Sequence, residues 1–341
     1  MRIALIAPPW LPVPPRSYGG TELVVDLLAR GYRDAGHEVV LFTTGDATSP
    51  VARRSLYETA RGLGAGSDVE ARHAAWAYDE IASHGAFDIV HDHTAAGVRE
   101  AARHPGLAVV ATLHHPLEGQ PLEDCRAVAD RVHLVAVSDA QRRHVPELPV
   151  TRVVHHGVDP AAYPLGPGGD YCLFLGRLAL DNGVSGAIAA ARKAGLPLVI
   201  AGKVQSSTER AYFEERVKPH LGEGVRYVGE VGMAEKLELL GHARALLLPA
   251  LWAKPFGLAM LEAFACGAPV LARPQGAVPE VVTDGVTGFF CRDDTAMAEA
   301  IGRVDTLRRE DCRAAVEGYF SAQRMVLDYL TLFSVVASSA C

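Results

Sequence analysis

Short apolar, β-branched runs alternate with longer stretches of helical periodicity along the whole chain. That is the sequence form of repeated β-α-β units, so the pattern predicts an α/β protein with parallel sheets. In the first half, the runs at 2–7, 38–43, 88–91, 108–112, 134–137 and 152–155 are the expected strands. Between the first two, Leu23, Val24, Leu27 and Leu28 recur at helical spacing and predict a helix over about 21–35, ended by Gly36. A second series follows, with strands expected at 171–175, 196–201, 225–228, 245–249 and 269–272. The stretch from Pro160 to Gly169 between the two series is dense in Pro and Gly and reads as a linker. The amphipathic segment 319–336 fits either a cap on the second domain or a return to the first.

A length of 341 residues favours two domains, placed at 1–162 and 170–318. No run of about 18 uncharged apolar residues occurs, so no membrane span is expected. The opening Met1-Arg2-Ile3-Ala4-Leu5-Ile6 is cut short by Pro8, Pro9 and Pro12, and reads as a buried strand rather than a secretory leader. A net charge of −7 opposes a large nucleic-acid footprint. The basic residues before Lys193 are all arginines and are dispersed, which argues against strong membrane association. The six cysteines lack any C-x-x-C pair; this speaks against a zinc site or disulfide framework and fits reduced thiols in a cytoplasm.

Candidate chemistry gathers at expected strand ends. Tyr18-Gly19-Gly20-Thr21-Glu22 lies between the first strand and helix, where glycines admit a close ligand and a helix N-terminus offers free N–H groups to an anion. The plainer reading is a glycine turn with Thr21 as N-cap. The G-x-G-x-x-G fingerprint expected after a first strand of a dinucleotide-binding enzyme is missing. Alternation places His91 and His93 on one face, as substrate hydrogen-bonders, metal ligands or satisfied strand-end groups. No third ligand accompanies them, and no metal site is expected. His114 and His115 follow another strand at the edge where open α/β sheets bind ligands. In the second half, Gly176-Arg177 sets a guanidinium at a strand end, a fork that matches phosphate oxygens. Lys254-Pro255-Phe256-Gly257-Leu258 leads into a helix carrying Glu262, expected about two turns on from Lys254 and on the same side. That carboxylate can chelate vicinal ribose hydroxyls or face solvent as an ordinary surface glutamate.

In order and spacing these pieces resemble the retaining glycosyltransferases of family four. The likeness runs from Tyr18-Gly19-Gly20-Thr21-Glu22 through His114-His115, Gly176-Arg177, Val231, Pro255-Phe256-Gly257-Leu258 and Glu262, to Pro279-Glu280-Val281-Val282 and Gly285-Val286-Thr287-Gly288. It implies the GT-B fold: two Rossmann-like domains facing across a cleft, with 319–341 returning to the N-terminal domain. Gly19 and Gly20 would then face the diphosphate or acceptor, His114 the donor sugar, and Arg177 the diphosphate. Val231 would meet the base through its backbone, amides around Phe256, Gly257 and Leu258 the β-phosphate and sugar, and Glu262 the ribose. Tyr18, His91, His93 and His115 are the acceptor-side candidates. No cofactor is implied beyond a nucleotide-sugar donor, UDP-linked first and GDP-linked second. The acceptor is a small molecule, an oligosaccharide or a lipid-linked glycan, and an oligosaccharide-antibiotic pathway such as that of avilamycin is the expected setting.

Two positions depart from the family pattern. Asn182 stands where a basic residue is usual five places after the arginine, and Lys254 replaces the first glutamate of a pair completed by Glu262. Diphosphate departure needs cations aimed at it, so Lys254 is expected to reach the diphosphate, or an acidic group on the sugar. The alternatives are a solvated lysine in a nucleotide-sugar-binding protein with a degraded site, and a 2-epimerase of the same fold.

Overall fold

The computed structural model describes residues 1–17, 19–85, 87–222 and 224–339. Two compact units are formed, one by residues 1–156 with 322–341 and the other by 157–321. In the first, β1 (Arg2–Ile6), β2 (Glu38–Thr43), β3 (Ala52–Ser55), β4 (Ile89–Asp92), β5 (Val109–Leu113), β6 (His133–Ala136) and β7 (Arg152–Val153) form a sheet of order β3-β2-β1-β4-β5-β6-β7. In the second, β8 (Tyr171–Leu175), β9 (Leu198–Ala201), β10 (Val225–Gly229), β11 (Ala243–Leu248), β12 (Val270–Ala272) and β13 (Gly288–Phe290) are ordered β10-β9-β8-β11-β12-β13. Every pairing is parallel. Both are doubly wound, Rossmann-like sheets that reverse direction, at β1/β4 and at β8/β11; a ligand crevice opens at the carboxyl ends beside such a switch point.

The apolar runs became strands because both faces of each sheet are covered. Ile3, Leu5 and Ile6 are fully buried in one core, and Cys172, Leu173 and Leu247 in the other. β3 and β13 escaped the apolar pattern for different reasons. β3 reads Ala-Arg-Arg-Ser, exposed along an edge, and β13 spans only Gly288–Phe290.

The stretch expected as a linker is tied to the surface of the second unit. Gly166 donates its N–H to the Cys266 carbonyl (3.1 Å), and its own carbonyl accepts from Arg309 Nε (3.0 Å). A Cβ at Gly166 would fall 2.2 Å from the Gly241 backbone. The final helix, Ala322–Ser339, belongs to the first unit, settling the two fates its amphipathic pattern left open. It lies on the helix Gly20–Asp34 so closely that a Cβ on Gly31 would come within 2.3 Å of Val326 Cγ2. Its Tyr329 and Phe333 are fully buried, and Tyr329 Oη meets Thr112 Oγ1 at 2.8 Å. No helix among the described residues is long and apolar enough to cross a membrane.

Candidate functional site

At the β1/β4 edge of the first unit the structure gathers the predicted histidines, but gives them different tasks. His91 is fully buried; its Nδ1 meets Tyr32 Oη at 3.1 Å and its Nε2 meets Thr112 Oγ1 at 2.9 Å. Burial pushes its pKa down to about 3, so it is a neutral core residue rather than an acceptor-side one. Alternation did put His93 beside it, with ring centroids 4.2 Å apart. His93 Nδ1 lies 2.8 Å from His114 Nε2, while His93 Nε2 is buried without a partner. His93, Thr112, His114, His115 and Leu117 line one cavity. Burial, then the neighbouring His156 ring stacked at 5.2 Å, holds His114 well below the usual imidazole range. This imidazole therefore exchanges hydrogen bonds without carrying charge.

Gly19, not Thr21, occupies the N-cap of the helix Gly20–Asp34. A Cβ there would lie 2.6 Å from Pro15 Cβ, so chain packing alone demands glycine, and Gly20 is the first helical residue. Tyr18 lies outside the described residues. Behind the turn, burial raises Glu22 and Glu70 to about 7, and Asp92 to about 6.

At the β8/β11 edge of the second unit, Gly176-Arg177 follows β8 and the Lys254 loop follows β11. Arg177 Nη1 donates to Glu209 Oε1 at 2.8 Å, with the arginine side chain 38% exposed and the glutamate 6%. The other oxygen of Glu209 accepts the N–H groups of Gln205 and Ser206 in a capping box, so the carboxylate is fixed and steadies the guanidinium while leaving donors free. Asn182 is buried and its Nδ2 donates to the Arg177 carbonyl at 2.8 Å. It braces the arginine turn, and supplies no charge there. Gly183, at φ +74°, allows this turn to press on β11, since a Cβ would sit 2.2 Å from the Pro249 carbonyl oxygen.

Lys254 stands in the loop ahead of the helix Leu258–Ala265, not on the helix as the expected two-turn spacing implied. Its backbone carbonyl accepts from Ala277 N, and glycine at 276 is required because a Cβ would lie 2.3 Å from that oxygen. The side chain shares a cavity with Trp252, Phe256, Gly257, Arg273 and Gln275, and no carboxylate lines it. Trp252 Nε1 and Arg273 Nε are buried there without partners. Burial lowers the Lys254 pKa to about 8; the Asp181 carboxylate opposes this and the Arg177 charge adds to it. The Arg273 guanidinium is itself paired, its Nη2 donating to Asp294 Oδ1 at 2.8 Å. Phe256 and Val231 are buried, and Gly257 caps the helix whose second turn carries Glu262, 6% exposed.

The family described as "Glycosyl transferases group 1" matches residues 159–317, and "Glycosyltransferase Family 4" matches 18–162. The chain carries a group 1 and a family 4 glycosyltransferase domain. It is 34% identical over 172 residues to the glycogen synthase of Mycobacterium tuberculosis, covering 47% of this chain and 41% of that relative. The chain spans about half the length of the curated relatives it matches. The crystal structure of AviGT4, a glycosyltransferase involved in avilamycin A biosynthesis, superposes with a TM-score of 0.75 at 25% identity, covering 99% of this chain and 98% of that one. Anabaena HepE in complex with UDP and glucose shares the fold, with a TM-score of 0.78 at 18% identity and coverage of 98% and 99%.

Several residues at these two sheet edges left little trace in the sequence. Glu209 sits in a readable Ser-x-x-Glu capping box, but nothing local shows that its second oxygen holds Arg177. Lys236, Tyr163, Trp252 and Arg273 carry no motif; only the fold places Lys236 and Tyr163 on Glu262, and Trp252 and Arg273 beside Lys254.

Proposed function

We propose that this glycosyltransferase moves a glycosyl group from a nucleotide-activated sugar to an acceptor hydroxyl with retention of configuration, and that its second unit binds the donor. The observation that carries this reading is the charge arrangement at the β8/β11 switch point. Two cations, Arg177 and Lys254, stand there beside a helix N-terminus, with Glu209 paired to Arg177 and Asp181 acting on Lys254, and Glu262 stands in the helix that follows. Cations and amide dipoles aimed at a departing diphosphate stabilise the charge that grows on it as the sugar becomes oxocarbenium-like. Arg177 and Lys254 take the diphosphate, Glu262 the ribose hydroxyls, and the Val231 backbone the base. The amides of Phe256, Gly257 and Leu258 reach the β-phosphate and the sugar.

The acceptor hydroxyl attacks on the face the diphosphate leaves, and a phosphate oxygen takes its proton. His114, held neutral, hydrogen-bonds the transferred sugar, and the His93 and His115 cavity receives the acceptor. The donor is a UDP-sugar, GDP being the alternative, and UDP in the structurally similar HepE supports that order. The likeness to AviGT4 supports an oligosaccharide acceptor of the antibiotic type. Titrating the protein calorimetrically with UDP, GDP, ADP and TDP tests the donor site. One nucleotide is expected to bind, weakened about tenfold or more (about 1.4 kcal/mol) by Arg177→Ala and by Glu262→Ala. Absence of binding, or indifference to both substitutions, overturns the reading.

A further inference from the structure

Glu262 is held in an asymmetric way. Lys236 Nζ, from the helix Met233–Gly241, donates to Glu262 Oε1, and Tyr163 Oη donates to the same oxygen at 3.1 Å. Among the described residues no bond reaches Oε2, and Oε2 is not one of the enclosed, partnerless side-chain atoms, so it keeps access to the surface. Tyr163 is itself pinned, because Arg313 Nη1 donates both to its carbonyl and to the Ala265 carbonyl that ends the same helix. Burial, with Glu262 beside it, holds the Tyr163 phenol protonated across the working pH range, so it remains a donor.

We infer that Lys236 and Tyr163 are positioning residues that saturate one oxygen of Glu262 and turn the other toward the vicinal hydroxyls of the donor's ribose. A carboxylate free to rotate would offer the hydroxyls either oxygen at any angle. One oxygen fixed from two chain segments leaves the other as an acceptor in a set direction, whose two lone pairs can take both adjacent hydroxyls. A buried ion pair adds little net stability compared with apolar packing, so orientation is the gain that accounts for Lys236. This inference rests on the donor reading of Glu262 proposed above.

The test compares whichever of UDP, GDP or ADP binds with its 2′,3′-dideoxy counterpart, by calorimetry on the whole chain. The unsubstituted protein is expected to bind the dideoxy form about tenfold more weakly. Lys236→Met and Tyr163→Phe should each weaken the ribose form about fivefold and leave the dideoxy form unchanged, while Lys236→Arg recovers most of the loss. If both ligands weaken alike in both variants, the residues merely staple helices together and the inference is overturned. If the unsubstituted protein does not distinguish the two ligands, Glu262 does not read ribose; if no ribonucleotide binds, the donor site is elsewhere. Either result removes the foundation rather than the clamp alone. Tyr163→Phe keeps the test decisive should Lys236→Met fail to fold.

Discussion

In the first unit the carboxyl ends of β4 and β5 collect His91, His93 and His114 with Asp92, and burial drives these groups toward their neutral forms. In the second unit, Arg177 and Lys254 follow β8 and β11, and Glu262, on the helix after β11, pairs with Lys236; burial lowers the Lys254 pKa to about 8. The two sheets have the same parallel, doubly wound plan, so the contrast is not one of topology. It shows how one scaffold edge can be spent in two ways. In both units some polar groups are partnered inside the protein, as His91 is by Tyr32 and Thr112 and Arg177 by Glu209, and others are left short among the described residues, as His93 Nε2 and Trp252 Nε1 are.

Substitution should separate the two regimes. His91→Leu keeps the volume but strands Tyr32 Oη, whose partner it is, and should cost about 3 kcal/mol in denaturant unfolding; a cost below about 1 kcal/mol would place His91 among the ligand-facing groups after all. Lys254→Met should do the opposite, changing stability by less than about 1 kcal/mol because an unpaired, half-buried ammonium is removed. Nucleoside diphosphate affinity should nevertheless drop about tenfold, about 1.4 kcal/mol. Because Lys254 loses its proton near pH 8, affinity of the unsubstituted protein should decline as pH rises through that value, and the Met variant should show no such step. A large stability loss with unchanged binding would move Lys254 into the packing class.

The smallest effect concerns what completes the first unit. Gly31→Ala normally strengthens a helix, but the new Cβ would press on Val326 Cγ2 and should cost about 1 kcal/mol, recovered when Val326→Ala is added. Thermal unfolding of the double variant measures that coupling; full additivity would mean that the returning helix does not depend on this contact.

Most of the site was legible at the level of position. Arg177 and His114 were singled out because they follow apolar runs at the edge where parallel sheets expose their carboxyl ends, Glu262 because it was expected on a helix two turns on from Lys254, and Gly19 and Gly20 because glycine marks close approach. What each side chain does there was less legible. His91 and His93 are two residues apart on one strand, yet only the packing of Tyr32 and Thr112 around the first makes it a core residue. Asn182 brings no charge to its position, and only the structure shows that it also donates to the Arg177 carbonyl.

The sequence by itself determined the class of fold, the order of most strands and the chain positions of the site, since these follow from local periodicity and from residues adjacent in the chain. Only the tertiary structure decided that the Pro/Gly stretch is tied down rather than free, that the last helix joins the first unit, and that Lys236 and Tyr163 converge on one oxygen of Glu262. Those outcomes depend on contacts between segments tens to hundreds of residues apart, and no local pattern of hydrophobic and polar positions encodes which distant partner a buried group will meet.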